Sequence, residues 1–183
     1  MKIIVAVTGA SGAIYAQRLF DKIHFLRSQI DEVAVVFSET AKDVWNHELQ
    51  SAPNLYDFTE YSDKDFFSPI ASGSSRYDAM IVCPCSAGTM GRIAHGTADT
   101  LITRAADVML KERRKLILAV RETPFNLIHI RNMELITLAG GVICPANPSF
   151  YSQPNTIADL CDTVIDRIID LVGLQNDSFR WGK

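Results

Sequence analysis

Two apolar rhythms alternate along this chain. Short, nearly unbroken apolar runs recur at Lys2 to Thr8 (KIIVAVT), Glu32 to Phe37 (EVAVVF), Ala79 to Cys83, Lys115 to Val120 (KLILAV) and, briefly, Val142 to Cys144. Runs this apolar, rich in β-branched residues, read as strands covered on both faces. Between them the apolar positions fall at helical spacing. Residues 16, 19, 20, 23 and 26 form one stripe within a predicted helix from Ala13 to about Ser28. Further helices are predicted over Thr40 to Leu49, after the turn at Pro84 to Thr89, over Ala98 to Lys111, Asn126 to Ala139 and Thr156 to Val172, with Gly140-Gly141 stopping the fifth. Residues 50 to 76 are polar and read as one long irregular stretch, a kind of segment that is often functional.

Strands alternating with helices predict an α/β fold: a single doubly wound parallel sheet with helices on both faces, in one domain spanning 1–183, with no repeat and no linker. In such folds ligands sit at the carboxyl ends of the strands. Composition narrows the partners. Of 183 residues, 48% are hydrophobic and 21% charged, and the net charge of −3 lacks the basic footprint of a nucleic-acid binder. No apolar run approaches the roughly 18 residues of a membrane span, and MKIIVAVTGASG leads into a glycine turn rather than a signal cleavage site. A cytoplasmic location is expected. The four cysteines (83, 85, 144, 161) are then reduced, and with histidines only at 24, 47, 95 and 129 no zinc spacing arises.

The residues that follow each strand carry the chemistry. After the first come Gly9, Ala10, Ser11 and Gly12, small residues that let a ligand reach the backbone at a helix start; Ser11 serves equally as a helix cap. This is neither a G-x-G-x-x-G nor a G-K-[ST] motif. After the second comes Ser38, another candidate cap. After the third, Ser86-Ala87-Gly88-Thr89 sets two hydroxyls three residues apart in a first helical turn. After the fourth stand Arg121 and Glu122; a guanidinium there grips phosphate or ring carbonyl oxygens in a fork. After the fifth, a proline-rich loop holds Phe150 and Tyr151. Several hydroxyl-rich turns on one sheet edge suit a phosphate plus a polar ring system such as flavin mononucleotide (FMN). On the last helix, Arg167 falls on the 160, 164, 167, 171 line beside the apolar stripe, where it needs an anion, either Asp170 or a bound phosphate.

Together TGASGA, ASGSS at 71 to 75, PCSAGT at 84 to 89, TRAADVMLKERRKLILAVRETPF at 103 to 125, GGVICPANPSFYSQP at 140 to 154 and RWG at 180 to 182 make the chain resemble the UbiX-type flavin prenyltransferases over nearly its whole length. The resemblance implies a flavodoxin-like fold, a dodecameric homo-oligomer, and transfer of a dimethylallyl group from dimethylallyl phosphate to FMN, first to N5 and then to C6, without metal. The product then serves UbiD-type decarboxylases in ubiquinone synthesis or aromatic-acid breakdown. It implies FMN contacts from Gly9, Ala10, Ser11, Ser38, Ser86, Ala87, Gly88, Thr89, Arg104 and Arg121. Lys111, Tyr151 and Arg167 clasp the donor phosphate, Glu48 and Glu122 match acidic residues of the site, and Trp181 matches an aromatic near the donor. Phe66-Phe67 stand where some members carry Trp, with Phe66 lining the prenyl pocket. Two rival readings remain. One is an FMN-dependent decarboxylase of the peptidyl-cysteine or phosphopantothenoylcysteine type, for which His47 in N-H-E stands in the right region but PCSAGT replaces P-A-x-N-T. The other is a non-catalytic flavin carrier subunit.

Overall fold

A computed structural model of the chain describes residues 1 to 182. Six strands form one parallel sheet: β1 (Lys2–Val7), β2 (Glu32–Phe37), β3 (Thr59–Ser62), β4 (Ala79–Cys85), β5 (Lys115–Val120) and β6 (Val142–Ile143). Their order is β3-β2-β1-β4-β5-β6, with every neighbouring pair parallel. The winding direction reverses between β1 and β4, and there the doubly wound arrangement opens a crevice at the carboxyl edge.

The unbroken apolar runs are explained by two cores. Ile3, Val5 and Val7 face α1 (Ala13–Phe25), α2 (Glu39–Leu49) and α6 (Ile157–Val172). Ile4 and Ala6 face the opposite layer of α3 (Ala87–Ala94), α4 (Leu101–Lys111) and α5 (Leu127–Leu138). Successive side chains of a strand point to opposite faces, so a strand with both faces covered shows no alternation. Each fully buried Leu, Ile or Phe contributes about 1.5–3 kcal/mol against exposure.

Boundaries shift where local capping decides them. α1 ends at Phe25 rather than near Ser28 because the chain tightens into a 3₁₀ turn at Arg27–Gln29. α4 starts at Leu101, not Ala98, because Thr100 and Thr103 form a reciprocal capping box. The segment predicted as irregular holds β3 and two 3₁₀ turns, Pro69–Ala71 and Gly73–Ser75. β3 reads TEYS, polar and mostly exposed, so its sequence carries no strand rhythm. Its place is set by Phe58, which packs edge-on to Phe20 at 6.2 Å and delivers the next four residues to pair with β2.

Candidate functional site

The carboxyl ends of β1 and β4 are tied by Thr8, the residue that opens the glycine turn. Its buried hydroxyl donates to the Pro84 carbonyl at 2.8 Å and accepts from the Ser86 N–H at 2.8 Å. On the outer sides, the Ser38 N–H donates to the Val7 carbonyl and the Arg121 N–H to the Cys85 carbonyl. The four predicted turns therefore share one edge. Gly9 is required there by contact: a Cβ built on it lies 2.2 Å from Thr40 Oγ1 and 2.6 Å from Thr40 Cβ. Gly9→Ala is accordingly expected to cost about 1–3 kcal/mol by overpacking, read as a drop in thermal midpoint; a midpoint equal to wild type would show that the turn has room to give.

The start of α1 carries the main electrostatic feature. Ser11 does not cap it. The N-cap is Gly12, in the left-handed region at φ 111°, with no cap from its own side chain. The missing acceptor comes from α2: Glu48 takes the Gly12 N–H at 2.9 Å and the Ala13 N–H at 2.7 Å. Burial works against the charged form of Glu48, but the Ser11 hydroxyl, the Ala13 and Gly12 N–H groups and the nearby Arg121 guanidinium outweigh it and hold the carboxyl below its usual range. Arg121 Nε in turn donates to the Ser11 carbonyl at 3.1 Å. Glu48, the turn from Ser11 to Ala13 and Arg121 thus form one hydrogen-bonded unit, and the anion-binding start of α1 is filled by the protein's own carboxylate.

The other hydroxyls are caps with room in front of them. Ser38 Oγ accepts the Ala41 N–H at 3.2 Å at the start of α2. Ser86 Oγ accepts the Thr89 N–H at 3.2 Å and bonds Thr89 Oγ1 at 3.1 Å, so the pair is joined. A Cβ on Gly88 would meet nothing within 4 Å, which leaves the first turn of α3 open. Cys83 and Cys85 are fully buried, and burial raises both thiols, Cys85 to about 12; they are packing groups, not nucleophiles.

The end of β6 brings further groups to the same edge. The Ala146 N–H donates to the Val120 carbonyl, and the Tyr15 hydroxyl, from the first turn of α1, reaches the Ala146 carbonyl at 3.5 Å. No motif announces Tyr15. In the following loop Tyr151 packs edge-on to Trp181 at 4.8 Å. Arg167 is exposed rather than set within the apolar stripe, and its charge reaches Cys144 after β6. Asp170 is not its partner: that carboxylate is bound by both guanidinium amines of Arg180. Glu122 accepts the N–H of its neighbour Thr123 at 3.0 Å.

Three predicted residues make their contacts elsewhere within one chain. Lys111, the last residue of α4, pairs with Glu112 at 2.8 Å and lines a cleft of about 520 Å³ with Arg113 and Arg114. It lies near the start of β5, whereas Arg121 follows its end, and six residues of strand separate the two edges by roughly 20 Å. Arg104 is spent on the Ala71 carbonyl at 3.1 Å and on Asp107 at 2.9 Å. Phe66 is half exposed beside a fully exposed Phe67, beyond β3 at the far end of the sheet. No single chain assembles Lys111 with Tyr151 and Arg167.

A family model described as Flavoprotein matches residues 1–173. The flavin prenyltransferase UbiX of Methanocaldococcus jannaschii is 42% identical over 191 aligned residues, covering 100% of this chain and 99% of that protein. Among solved structures, AnUbiX (PadA1) in complex with FMN and dimethylallyl pyrophosphate superposes with a TM-score of 0.93 at 41% identity, covering 100% of this chain and 97% of the other. A dodecameric FMN-dependent UbiX-like decarboxylase from Escherichia coli O157:H7 gives 0.94 at 38% identity with both chains fully covered.

Proposed function

We propose that this chain, which belongs to the flavoprotein family and within it to the UbiX flavin prenyltransferases, transfers a dimethylallyl group from dimethylallyl phosphate to reduced FMN. The observation that carries the reading is the Glu48–Ser11–Arg121 unit at the β1/β4 crevice. The residues fit a flavin. The open first turn of α3 and the Arg121 N–H groups beyond Nε remain as donors for flavin oxygens. When bound, reduced FMN supplies the two ring atoms, N5 and then C6, that take the prenyl carbons.

The protein's part is electrostatic and positional. Ionising an allylic phosphate requires stabilising the departing charge, which Tyr151, Arg167 and a lysine ammonium can do without metal. The lysine is Lys111 of a neighbouring copy, because its own lies at the opposite sheet edge, and the neighbour likewise brings Arg104 and Phe66. Homo-oligomerisation, as in the dodecameric relative, supplies such neighbours. Tyr151 and Trp181 offer π faces to an allylic cation. A carboxylate held below its usual range is a weak base at neutral pH, so Glu48 orients the Ser11 hydroxyl and the departing phosphate accepts the proton lost on ring closure. Glu122, engaged with Thr123, takes the lesser role of shaping the loop after Arg121. The product goes to a UbiD-type decarboxylase.

The test is the mass of the flavin. Protein, FMN, a reductant and dimethylallyl phosphate or diphosphate are mixed, and the flavin is released and weighed. A gain of one C5 prenyl unit is expected. Folded, FMN-loaded protein that leaves FMN unmodified with both donors would reduce the chain to a flavin carrier.

A further inference from the structure

Arg167 has a carboxylate within reach and does not use it. On a helix, side chains meet those three and four residues away. For Arg167 in α6 those are Thr163, Val164, Asp170 and Leu171, so Asp170 is the acid placed to pair with it. Yet Arg167 is exposed, and the ion pairs among the described residues are made by other side chains. The adjacent acid, Asp166, is taken too: it pairs with Lys22 at 2.8 Å and accepts from Asn176 Nδ2 at 2.8 Å.

The tail of the chain keeps Asp170 away. Gly173, left-handed at φ 95°, ends α6 and lets the chain turn back. Leu174 is buried in the core, and Gln175 exchanges two hydrogen bonds with Gln29. Arg180 then clasps Asp170 with both guanidinium amines, Nη2 at 2.8 Å, and Nη2 also donates to the Asn176 carbonyl at 3.1 Å. A two-pronged guanidinium grip outcompetes a single ammonium-like contact along a helix. The Asp170 side chain is 17% exposed, so the pair is partly sheltered from screening. The next residue, Trp181, rests edge-on against Tyr151 at 4.8 Å. One short segment thus engages both an acid beside Arg167 and the ring of Tyr151.

We propose that Arg180 is a positioning residue for the donor phosphate: by holding Asp170 it spares the Arg167 guanidinium for the anion. The proposal rests on the reading of Arg167 as a ligand of that phosphate. Without Arg180, Asp170 turns to Arg167, neutralises it and repels the phosphate at once. Calorimetry of dimethylallyl phosphate with the FMN-loaded protein tests this. Arg180→Gln is expected to weaken donor binding roughly five-fold, the scale of one exposed ion pair plus one like-charge contact in high dielectric, with FMN affinity unchanged. Asp170→Asn gives up the same tail anchor but removes the competitor, so it should bind the donor at least as tightly as wild type. The double variant R180Q/D170N should return to wild-type affinity. No measurable donor affinity in wild type, wild-type affinity in Arg180→Gln, or a loss in Asp170→Asn equal to that in Arg180→Gln would overturn the proposal. So would a double variant no better than Arg180→Gln, or an equal loss of FMN affinity in Arg180→Gln. Binding is read apart from turnover: the expected pattern in a chain that leaves FMN unprenylated upholds the role of Arg180 and overturns the reading of function.

Discussion

Glu48→Ala is expected to destabilise the chain by about 1–2 kcal/mol, the range for losing a helix cap, and to weaken flavin binding at the same time. Two first-turn N–H groups of α1 lose their acceptor, Ser11 loses the carboxylate its hydroxyl bonds, and the charge facing Arg121 disappears. Chemical denaturation with an FMN titration reads both effects, and a variant losing neither would mean that Glu48 is incidental to the site. Glu48→Gln keeps an acceptor oxygen for the α1 N–H groups, so it should retain most of the stability while slowing prenyl transfer. A normal rate of finished product would show that the charge of Glu48 has no part in positioning Ser11 for the transfer. The pH dependence has a definite sign. The folded carboxyl lies below its unfolded value of about 4.3, so its contribution is complete above that pH and fades as pH falls through the folded value. The acid limb of the stability curve should therefore be shallower in Glu48→Ala than in wild type.

Lys111→Ala and Arg167→Ala are each expected to lower prenyl transfer by about two or more orders of magnitude, the scale of removing one preorganised charge from a transition state, while FMN still binds. The mixture is the more telling experiment. If one chain provides Arg167 and a neighbour Lys111, co-refolding the two variants in equal amounts gives some sites an intact pair. Random assembly should then recover roughly a quarter of wild-type activity. A mixture as inactive as its components would place both residues in one chain, against the roughly 20 Å between the two edges of β5. Weakened FMN binding in Arg167→Ala, equal in size to its lost transfer, would contradict the assignment of Arg167 to the donor phosphate.

The chain's apolar rhythm by itself determined the layer architecture, because a strand buried on both faces must read as a continuous apolar run and a helix on a sheet must show a stripe. It also placed Gly9, Ser38, Ser86 and Arg121 together, since residues following parallel strands necessarily share one edge. β3 was left to the tertiary structure: an edge strand of four polar residues is held by backbone pairing and by the anchoring of Phe58, neither of which leaves a periodic signal. The cap on α1 was left to it as well, because Glu48 is 36 residues from Gly12 and local sequence shows only that Gly12 lacks an acceptor. The separation of Lys111 from Arg121 depends on which way α4 runs relative to β5. Short-range pattern determines what each segment becomes, through burial and backbone geometry. Which side chains finally meet is decided by packing across long sequence separations.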